Sequence, residues 1–233
     1  MHRWLTKGMA VTATMALLLA AVPVRADDDA QEARQLVEKA KLTVETFQTD
    51  PNMGSLRDLA KKSKGMLILP QMLRAAFIVG ASGGSGVMVA KDSKSGHWRG
   101  PAFHTLGGAS FGFQAGADAA EVIILAMTER GVTKLLSPQV KLGVDISVAM
   151  GPVGAGASAA TAGLSADLVA YSVAKGLYGG FSADGAVVGV RTALNQAYFG
   201  KPVTPTDILI KGTVKNPNAN TLLGAVAKLA GGK

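Results

Sequence analysis

The stretch Gly65–Lys91, GMLILPQMLRAAFIVGASGGSGVMVAK, decides the fold of this chain. Before it, apolar residues recur at the spacing of a helix, whereas within it they form short runs that are typical of strands. These runs predict strands at Met66–Leu69, Ala75–Val79 and Val87–Lys91, and the glycines and serines of Gly80–Gly86 predict a turn. A sheet therefore begins at this point of the chain.

Further apolar segments continue the sheet downstream. Leu142–Val148 alternates cleanly, with Leu142, Val144, Ile146 and Val148 on one face, which predicts a strand whose other face carries Asp145. The 29 glycines lie within apolar runs and not in linkers, which indicates bends, bulges and close approach of backbones. We therefore predict a tightly curved, glycine-rich sheet. The other predicted strands are Ala109–Ala115, Val122–Met127, Leu168–Ala174 and Gly185–Arg191.

Helices are predicted at both ends of this sheet. Ala30–Gln48 is amphipathic, and Ser55–Ser63 forms a second helix with Ser55 as a plausible N-cap. Thr128–Leu136, Thr206–Lys211 and Thr221–Leu229 are the shorter helices predicted downstream. The fold class is therefore α+β and β-dominated, with a curved antiparallel or mixed sheet, N-terminal amphipathic helices and short C-terminal helices. The boundaries place an N-terminal helical region at 27–54, the main domain at 55–212 and a tail at 213–233.

The N-terminus has the pattern of a cleavable secretory signal peptide, residues 1–26. Arg3 and Lys7 precede the apolar run Met9–Val22, which is too short to span a bilayer as a helix. Val24 and Ala26 then occupy the −3 and −1 positions of a cleavage site. A buried N-terminal helix is the alternative. We expect an exported protein, periplasmic or secreted, without a lipid anchor or disulfides because the chain has no cysteine.

Composition narrows the classes of partner. The formal net charge is +8, and the three basic residues at positions 3, 7 and 25 leave with the predicted signal peptide. The remaining excess suits anionic partners such as phospholipid headgroups. Nucleic acid is not expected as a partner, because the basic residues are spread along the chain and aromatic residues, at 5%, are few.

Short motifs of enzymes occur but lack their structural context. Ser82 and Ser110 lie in Gly-x-Ser-x-Gly patterns, yet one precedes a strand and the other lies within one, where a nucleophile needs a strand, a sharp turn and a helix. The glycine turn at 154–159 lacks the acidic residue that a dinucleotide site places about 20 positions on. His97 and His104 are not spaced as metal ligands, and Asp27–Asp29 is better explained as a solvated terminus than as a calcium site. No catalytic residue, cofactor or metal is predicted.

One ordered set of segments covers about residues 60–200 of the chain. Its members are Lys61–Pro70, Ala75–Gly80, Gly83–Val87, Trp98–Phe103, Gly107–Gly116, Asp145–Ala149 with Gly151-Pro152, and Tyr171–Gly180. No single segment is decisive, but in order and spacing the set resembles the SYLF domain family, whose fungal members are also called actin regulators.

The resemblance implies a non-enzymatic domain that binds membrane lipids, phosphoinositides in animal members, and actin in fungal members. An exported protein meets neither actin nor, ordinarily, phosphoinositides in its own envelope. Carry-over of actin binding is therefore doubtful, and an anionic envelope phospholipid or a host lipid is the expected partner. A protein partner in the envelope, bound without lipid, is the alternative.

The predicted mechanism is peripheral membrane binding in two parts. Lys61, Lys62, Lys64 and Arg74 would contact headgroup phosphates, each contributing about 1 kcal/mol near an anionic surface. The apolar faces of Ala30–Gln48 or Thr221–Leu229 would insert shallowly at the interface. The alternative is that both helices cover the sheet and that the lysines form a solvated face.

Overall fold

A computed structural model describes residues 26–76, 79–111, 116–154, 165–175 and 183–232. Within these ranges one curled, mixed sheet of eight strands runs in the order β5-β8-β3-β2-β1-β4-β7-β6. Neighbouring strands are antiparallel except β6 and β7, which are parallel. The strands are β1 (Gly65–Ala76), β2 (Val79–Lys91), β3 (Trp98–Phe111), β4 (Gly116–Ala126), β5 (Gln139–Lys141), β6 (Val148–Met150), β7 (Leu168–Lys175) and β8 (Val187–Val190).

Five α-helices accompany the sheet in the described residues: α1 (Ala26–Thr49), α2 (Gly54–Lys62), α3 (Glu129–Leu135), α4 (Thr192–Phe199) and α5 (Asn220–Leu229). Four of them confirm predicted helices within a few residues at each end. A π-helical turn at Asp207–Lys211 stands where the fifth was predicted, and α4 was not predicted. The α+β class with a curved, β-rich sheet is confirmed.

Both faces of the central strands are buried. In β1, Met66 and Ile68 belong to a cluster that includes the helices α1, α4 and α5. Leu67 and Leu69 point to the opposite face, into a second cluster that includes residues of α3, β5 and β8. Burial on both sides explains the continuous apolar run of β1, which shows no alternation in the sequence.

The amphipathic helix α1 is part of the core. Its apolar face is almost fully buried, with Val44 and Phe47 at 0% exposure and Val37 at 2%. Arg57 of α2 stabilises its C-terminal end, because Nη1 donates to the carbonyl oxygens of Phe47 and Gln48 at 3.3 and 3.2 Å. The structure thus favours the alternative in which this helix covers the sheet over the hypothesis of membrane insertion.

The turn predicted at Gly80–Gly86 is wrong. These residues lie inside β2, paired with β1 on one side and β3 on the other. Glycine is needed there because β1 carries a bulge between Ile68 and Leu73, which brings its carbonyl groups close to β2. A Cβ on Gly84 would lie 2.2 Å from the Gln71 carbonyl oxygen, so these glycines permit close approach of strands and do not mark a chain reversal.

The strand predicted at Leu142–Val148 is also wrong, since only its last residue begins β6. Leu142 and Ile146 form an isolated bridge around a turn at 143–145. Gly143 adopts a φ of 78°, and the Asp145 carboxylate accepts a hydrogen bond from the Lys141 amide at 2.8 Å. The apolar alternation arises because Leu142 and Ile146 anchor the turn in the core, while Val144 is 69% exposed.

The predicted cap at Ser55 is not formed either, because α2 begins one residue earlier and has no side-chain cap. The Ser55 hydroxyl instead donates a hydrogen bond to the Pro152 carbonyl oxygen and accepts a hydrogen bond from the Tyr171 hydroxyl at 3.2 Å. Residues 1–25 of the predicted signal peptide and the segments 77–78 and 112–115 of two predicted strands lie outside the described residues. The predicted cleavage site before Asp27 lies within the described part of the chain, at the first residue of α1.

Candidate functional site

The three lysines predicted to contact headgroups lie together at one end of the sheet. Lys61 and Lys62 occupy the last turn of α2, and Lys64 stands between α2 and β1. All three side chains are exposed. The chain is held between them, because both the amide and the hydroxyl of Ser63 donate to the Ala60 carbonyl oxygen. The three ammonium groups thus project from a rigid corner.

Two further lysines, which the sequence did not single out, join this corner. Lys91 ends β2, and its amide donates to the Lys64 carbonyl oxygen at 2.8 Å. Lys228 lies in the last turn of α5, and its carbonyl oxygen accepts from the amide of Gly231, which packs against the Lys61 side chain. We call the surface formed by Lys61, Lys62, Lys64, Lys91 and Lys228 the basic edge.

Two carboxylates partly neutralise the basic edge. Asp58 Oδ1 lies 2.9 Å from Lys61 Nζ, one helical turn away on α2. Glu129, at the start of α3, lies 3.8 Å from Lys64 Nζ. The hydrogen bond from Lys61 and its positive charge hold the pKa of Asp58 below its ordinary value, so this carboxylate remains ionised at neutral pH. Five lysines against two carboxylates leave an excess of positive charge.

The structure separates Arg74 from the other predicted site residues. It lies near the opposite end of β1, where it pairs with Ser82 of β2 and Asp118 of β4. Ten residues separate it from Lys64, which at about 3.3 Å per residue of strand gives roughly 30 Å. Alternation along β1 puts Arg74 on the same face as Met72, which belongs to the second cluster, with residues of α3, β5 and β8. Arg74 and the lysines therefore form no common site.

Other cations near this end of the sheet are engaged in structural pairs. Arg99 donates to Asp92 and to the Ile210 carbonyl oxygen. Arg130 lies 3.3 Å from Asp167, which also accepts from Thr128 at 2.7 Å. The bond from Thr128 is the first cause of the lowered pKa of Asp167. These arginines are held by partners within the fold, whereas four of the five lysines of the basic edge, Lys61, Lys62, Lys64 and Lys228, are exposed.

The residues of the enzyme motifs do not assemble into a catalytic group. Ser82 lies within the paired strand β2, and its hydroxyl donates to the Gly108 carbonyl oxygen at 3.4 Å. His104 is fully buried, with its ring nitrogens 3.1 and 3.0 Å from the carbonyl oxygens of Ala102 and Leu135. His97 is exposed in the turn before β3. Ser110 lies in β3, so neither serine stands on a strand-turn-helix elbow.

The described ranges contain no group of three or more His, Asp or Glu side chains that could hold a metal ion. In the same ranges, no helix combines the length and the apolar character that crossing a membrane requires.

The lysines of the basic edge also have a structural explanation. Lys61 and Lys62 end α2, and Lys228 lies in the last turn of α5, where cations complement the negative end of the helix dipole. This explanation does not extend to Lys64 and Lys91, which lie at the ends of adjacent strands. A sequence signal for Lys91 did exist, since a hairpin of β1 and β2 places the last residue of the second strand beside the residue before the first.

Comparison with known proteins places the chain in a family context. The family model described as Ysc84, Las17-binding protein actin regulator, matches residues 107–229. Protein YSC84 of Saccharomyces cerevisiae is 34% identical over 164 residues, which are 68% of this chain and 34% of that protein. LAS seventeen-binding protein 3 of the same species is 32% identical over 166 residues, 70% of this chain and 36% of that protein.

An animal relative extends the match toward the N-terminus. The human SH3 domain-containing YSC84-like protein 1 is 27% identical over 203 residues, which cover 86% of this chain and 58% of that protein. The chain therefore spans about a third of the length of the yeast relatives that it matches and little more than half of the human one.

Proposed function

Because this chain belongs to the Ysc84 family, the SYLF family of the sequence analysis, we propose that it is a non-enzymatic binding protein whose basic edge associates with anionic phospholipid surfaces. The observation that carries the proposal is the convergence of α2, α5, β1 and β2 on one surface with five lysines. The names of the relatives describe binding and regulatory proteins, which supports a non-enzymatic role.

The proposed contact is electrostatic and superficial. The apolar faces of both predicted anchor helices are buried, with Phe47 of α1 and Leu222 and Val226 of α5 at 0% exposure. Insertion of either face would require that the helix leave the core. At about 1 kcal/mol per lysine near an anionic surface, the basic edge is sufficient for reversible association that weakens with salt.

Vesicle sedimentation tests the proposal. The protein is purified from the envelope fraction of an expression host and mixed with phosphatidylcholine vesicles that contain or lack phosphatidylserine, at low and moderate salt. We expect binding only to the anionic vesicles and a marked loss on adding salt. Equal binding to both kinds of vesicle, or binding to neither, would contradict the proposal.

A matched pair of variants locates the contact. Lys61→Glu with Lys62→Glu should abolish most of the binding. Lys39→Glu with Lys141→Glu makes the same change in net charge on α1 and β5, at lysines that are also exposed, and should retain most of it. If the two double variants lost binding equally, net charge and not the basic edge would be responsible.

Binding of actin or of an actin regulator is the second candidate function. The matching family model is described as a Las17-binding protein and actin regulator, and one yeast relative is named LAS seventeen-binding protein 3. These descriptions favour actin as a partner, against the expectation from an exported chain. Cosedimentation with filamentous actin tests this candidate. Binding to filaments without binding to anionic vesicles would put it first, and capture of a single envelope protein without either would favour the protein-partner alternative.

We also propose that the chain is exported by cleavage before Asp27. Cleavage there would leave Asp27–Thr49 of α1 in the mature chain. It would also place Asp27, Asp28 and Asp29 in the first turn, where carboxylates favour the positive end of the helix dipole. The mass of the protein from the envelope fraction should correspond to a chain that starts at Asp27, and a full-length mass would refute this.

A further inference from the structure

Not all lysines of the basic edge are equally available to a ligand. Lys61 and Lys64 each lie in an ion pair, with Asp58 at 2.9 Å and with Glu129 at 3.8 Å. The other three lysines, Lys62, Lys91 and Lys228, make no ion pair with any residue that the structure describes, and Lys62 and Lys228 are exposed. A phosphate group can therefore meet these three directly, whereas it has to compete with a carboxylate for Lys61 and for Lys64.

We infer that Asp58 and Glu129 attenuate the basic edge, so that an anionic surface binds first through its unpaired lysines, Lys62, Lys91 and Lys228, and gains Lys61 and Lys64 only by exchange with these carboxylates. The inference rests on the proposed function and adds to it how the affinity of the surface is set. The two acids come from different elements, α2 and α3, and both flank the corner at which β1 begins.

Exposure of these pairs makes the exchange feasible. The side chains of Lys61 and Asp58 are 55% and 61% exposed, and those of Lys64 and Glu129 are 48% and 70% exposed. Ion pairs as exposed as these contribute little to stability, and the gain from one lysine at an anionic surface is of the same order. Neither side of the exchange dominates, so the carboxylates weaken binding without preventing it.

Mild acid does not relieve the attenuation by Asp58. The hydrogen bond and the charge of Lys61, followed by the charges of Lys62 and Arg57, hold the pKa of Asp58 below its ordinary value of 3.8. Asp58 therefore stays ionised throughout the neutral and mildly acidic range, and its lysine stays paired. A competing anionic surface, and not a change in pH, is what releases Lys61.

Substitutions that increase binding test the inference. Asp58→Asn and Glu129→Gln should each tighten binding to phosphatidylcholine vesicles with phosphatidylserine by about twofold to fivefold, since each makes one lysine available. Asp184→Asn is the matched control, because it changes the net charge equally at an exposed residue just before β8. Val187, the first residue of β8, pairs with Gly107 of β3, nine residues and roughly 30 Å from the Lys91–Trp98 pair.

A double-mutant cycle separates this effect from simple loss of a repulsive charge. In a Lys61→Gln background, Asp58→Asn should no longer tighten binding, because the lysine that it makes available is gone. An equal gain in both backgrounds, or a gain no larger than that of Asp184→Asn, would overturn the inference. If the lysine variants weaken binding while the acid variants have no effect, the inference fails and the proposed function stands; if the wild-type protein and the acid variants all fail to bind, both fail.

Discussion

Replacing Phe47 with alanine should destabilise the fold and leave the charge of the basic edge unchanged. Phe47 is 0% exposed and lies in the same buried cluster as Met53 and Leu56. A phenylalanine buries about 150–250 Å², which at about 25 cal/mol per Å² sets an upper estimate of roughly 4–6 kcal/mol. The alanine retains part of that contact, so we expect a loss of about 3–5 kcal/mol in the free energy of unfolding.

Urea denaturation followed by circular dichroism measures this loss. An equal m value, the slope of the free energy of unfolding against urea concentration, for the wild-type protein and the variant would show that both unfold in the same way. Leu42→Ala is the control on the same helix, because Leu42 is 58% exposed; it should change the free energy of unfolding by no more than about 0.5 kcal/mol. A loss below about 1 kcal/mol for Phe47→Ala would refute the assignment of this face to the core. Weaker vesicle binding with unchanged stability would restore the hypothesis of membrane insertion.

Two further predictions concern the sheet and its buried histidine. Gly84→Ala should lower the free energy of unfolding by more than about 1 kcal/mol, because the added Cβ would lie 2.2 Å from the Gln71 carbonyl oxygen. Gly107→Ala is the control and should have little effect, because the nearest atom to its added Cβ would be 3.8 Å away. Burial lowers the pKa of His104 below the ordinary value of 6.5, because the folded state disfavours the charged ring. The free energy of unfolding should therefore be highest above about pH 6.5 and should fall as the pH decreases through the pKa of the folded state. Unfolding measured between about pH 7.5 and about pH 5 should show a smaller decline for His104→Gln, and equal declines would contradict the role of this histidine.

The local elements were predictable because they depend on short-range patterns. Val37, Val44 and Phe47 recur at helical spacing, and α1 occupies the predicted region within a few residues at each end. Thr128 accepts a hydrogen bond from the Gly131 amide at 2.9 Å, as a helix cap does, at the start of the predicted helix α3. In these elements the pattern of burial and the preference of the backbone agree.

The two wrong predictions, the turn at Gly80–Gly86 and the strand at Leu142–Val148, have the same cause. In each, contacts with distant parts of the chain decide the conformation of the backbone. Glycines and serines at Gly80–Gly86 are typical of a turn, yet the bulge of β1 requires side chains to be absent from β2 at this point. Alternation at Leu142 and Ile146 is typical of a strand, yet the two residues anchor a turn between the edge strands. Neither partner is visible in the local sequence.

In the candidate site, too, residues adjacent in the chain were apparent from the sequence, whereas residues brought together by tertiary contacts were not. The run Lys61, Lys62 and Lys64 was apparent because its members are adjacent in the chain. Lys91 and Lys228 join it only through the pairing of β1 with β2 and the packing of α5 beside α2. Arg74 is ten residues from Lys64, and an extended strand separates two such residues by roughly 30 Å where a helix would separate them by about 15 Å.

The sequence by itself determined the fold class, most of the helices and the resemblance to a family, because hydrophobic periodicity and short motifs are local properties of the chain. Only the tertiary structure decided that the amphipathic helices belong to the core, because the apolar face of such a helix can pack equally well on a sheet or at a lipid interface. It likewise decided which charges share a surface. Charges act through space, and the sheet brings together Lys64 and Lys91 while it carries Arg74 away.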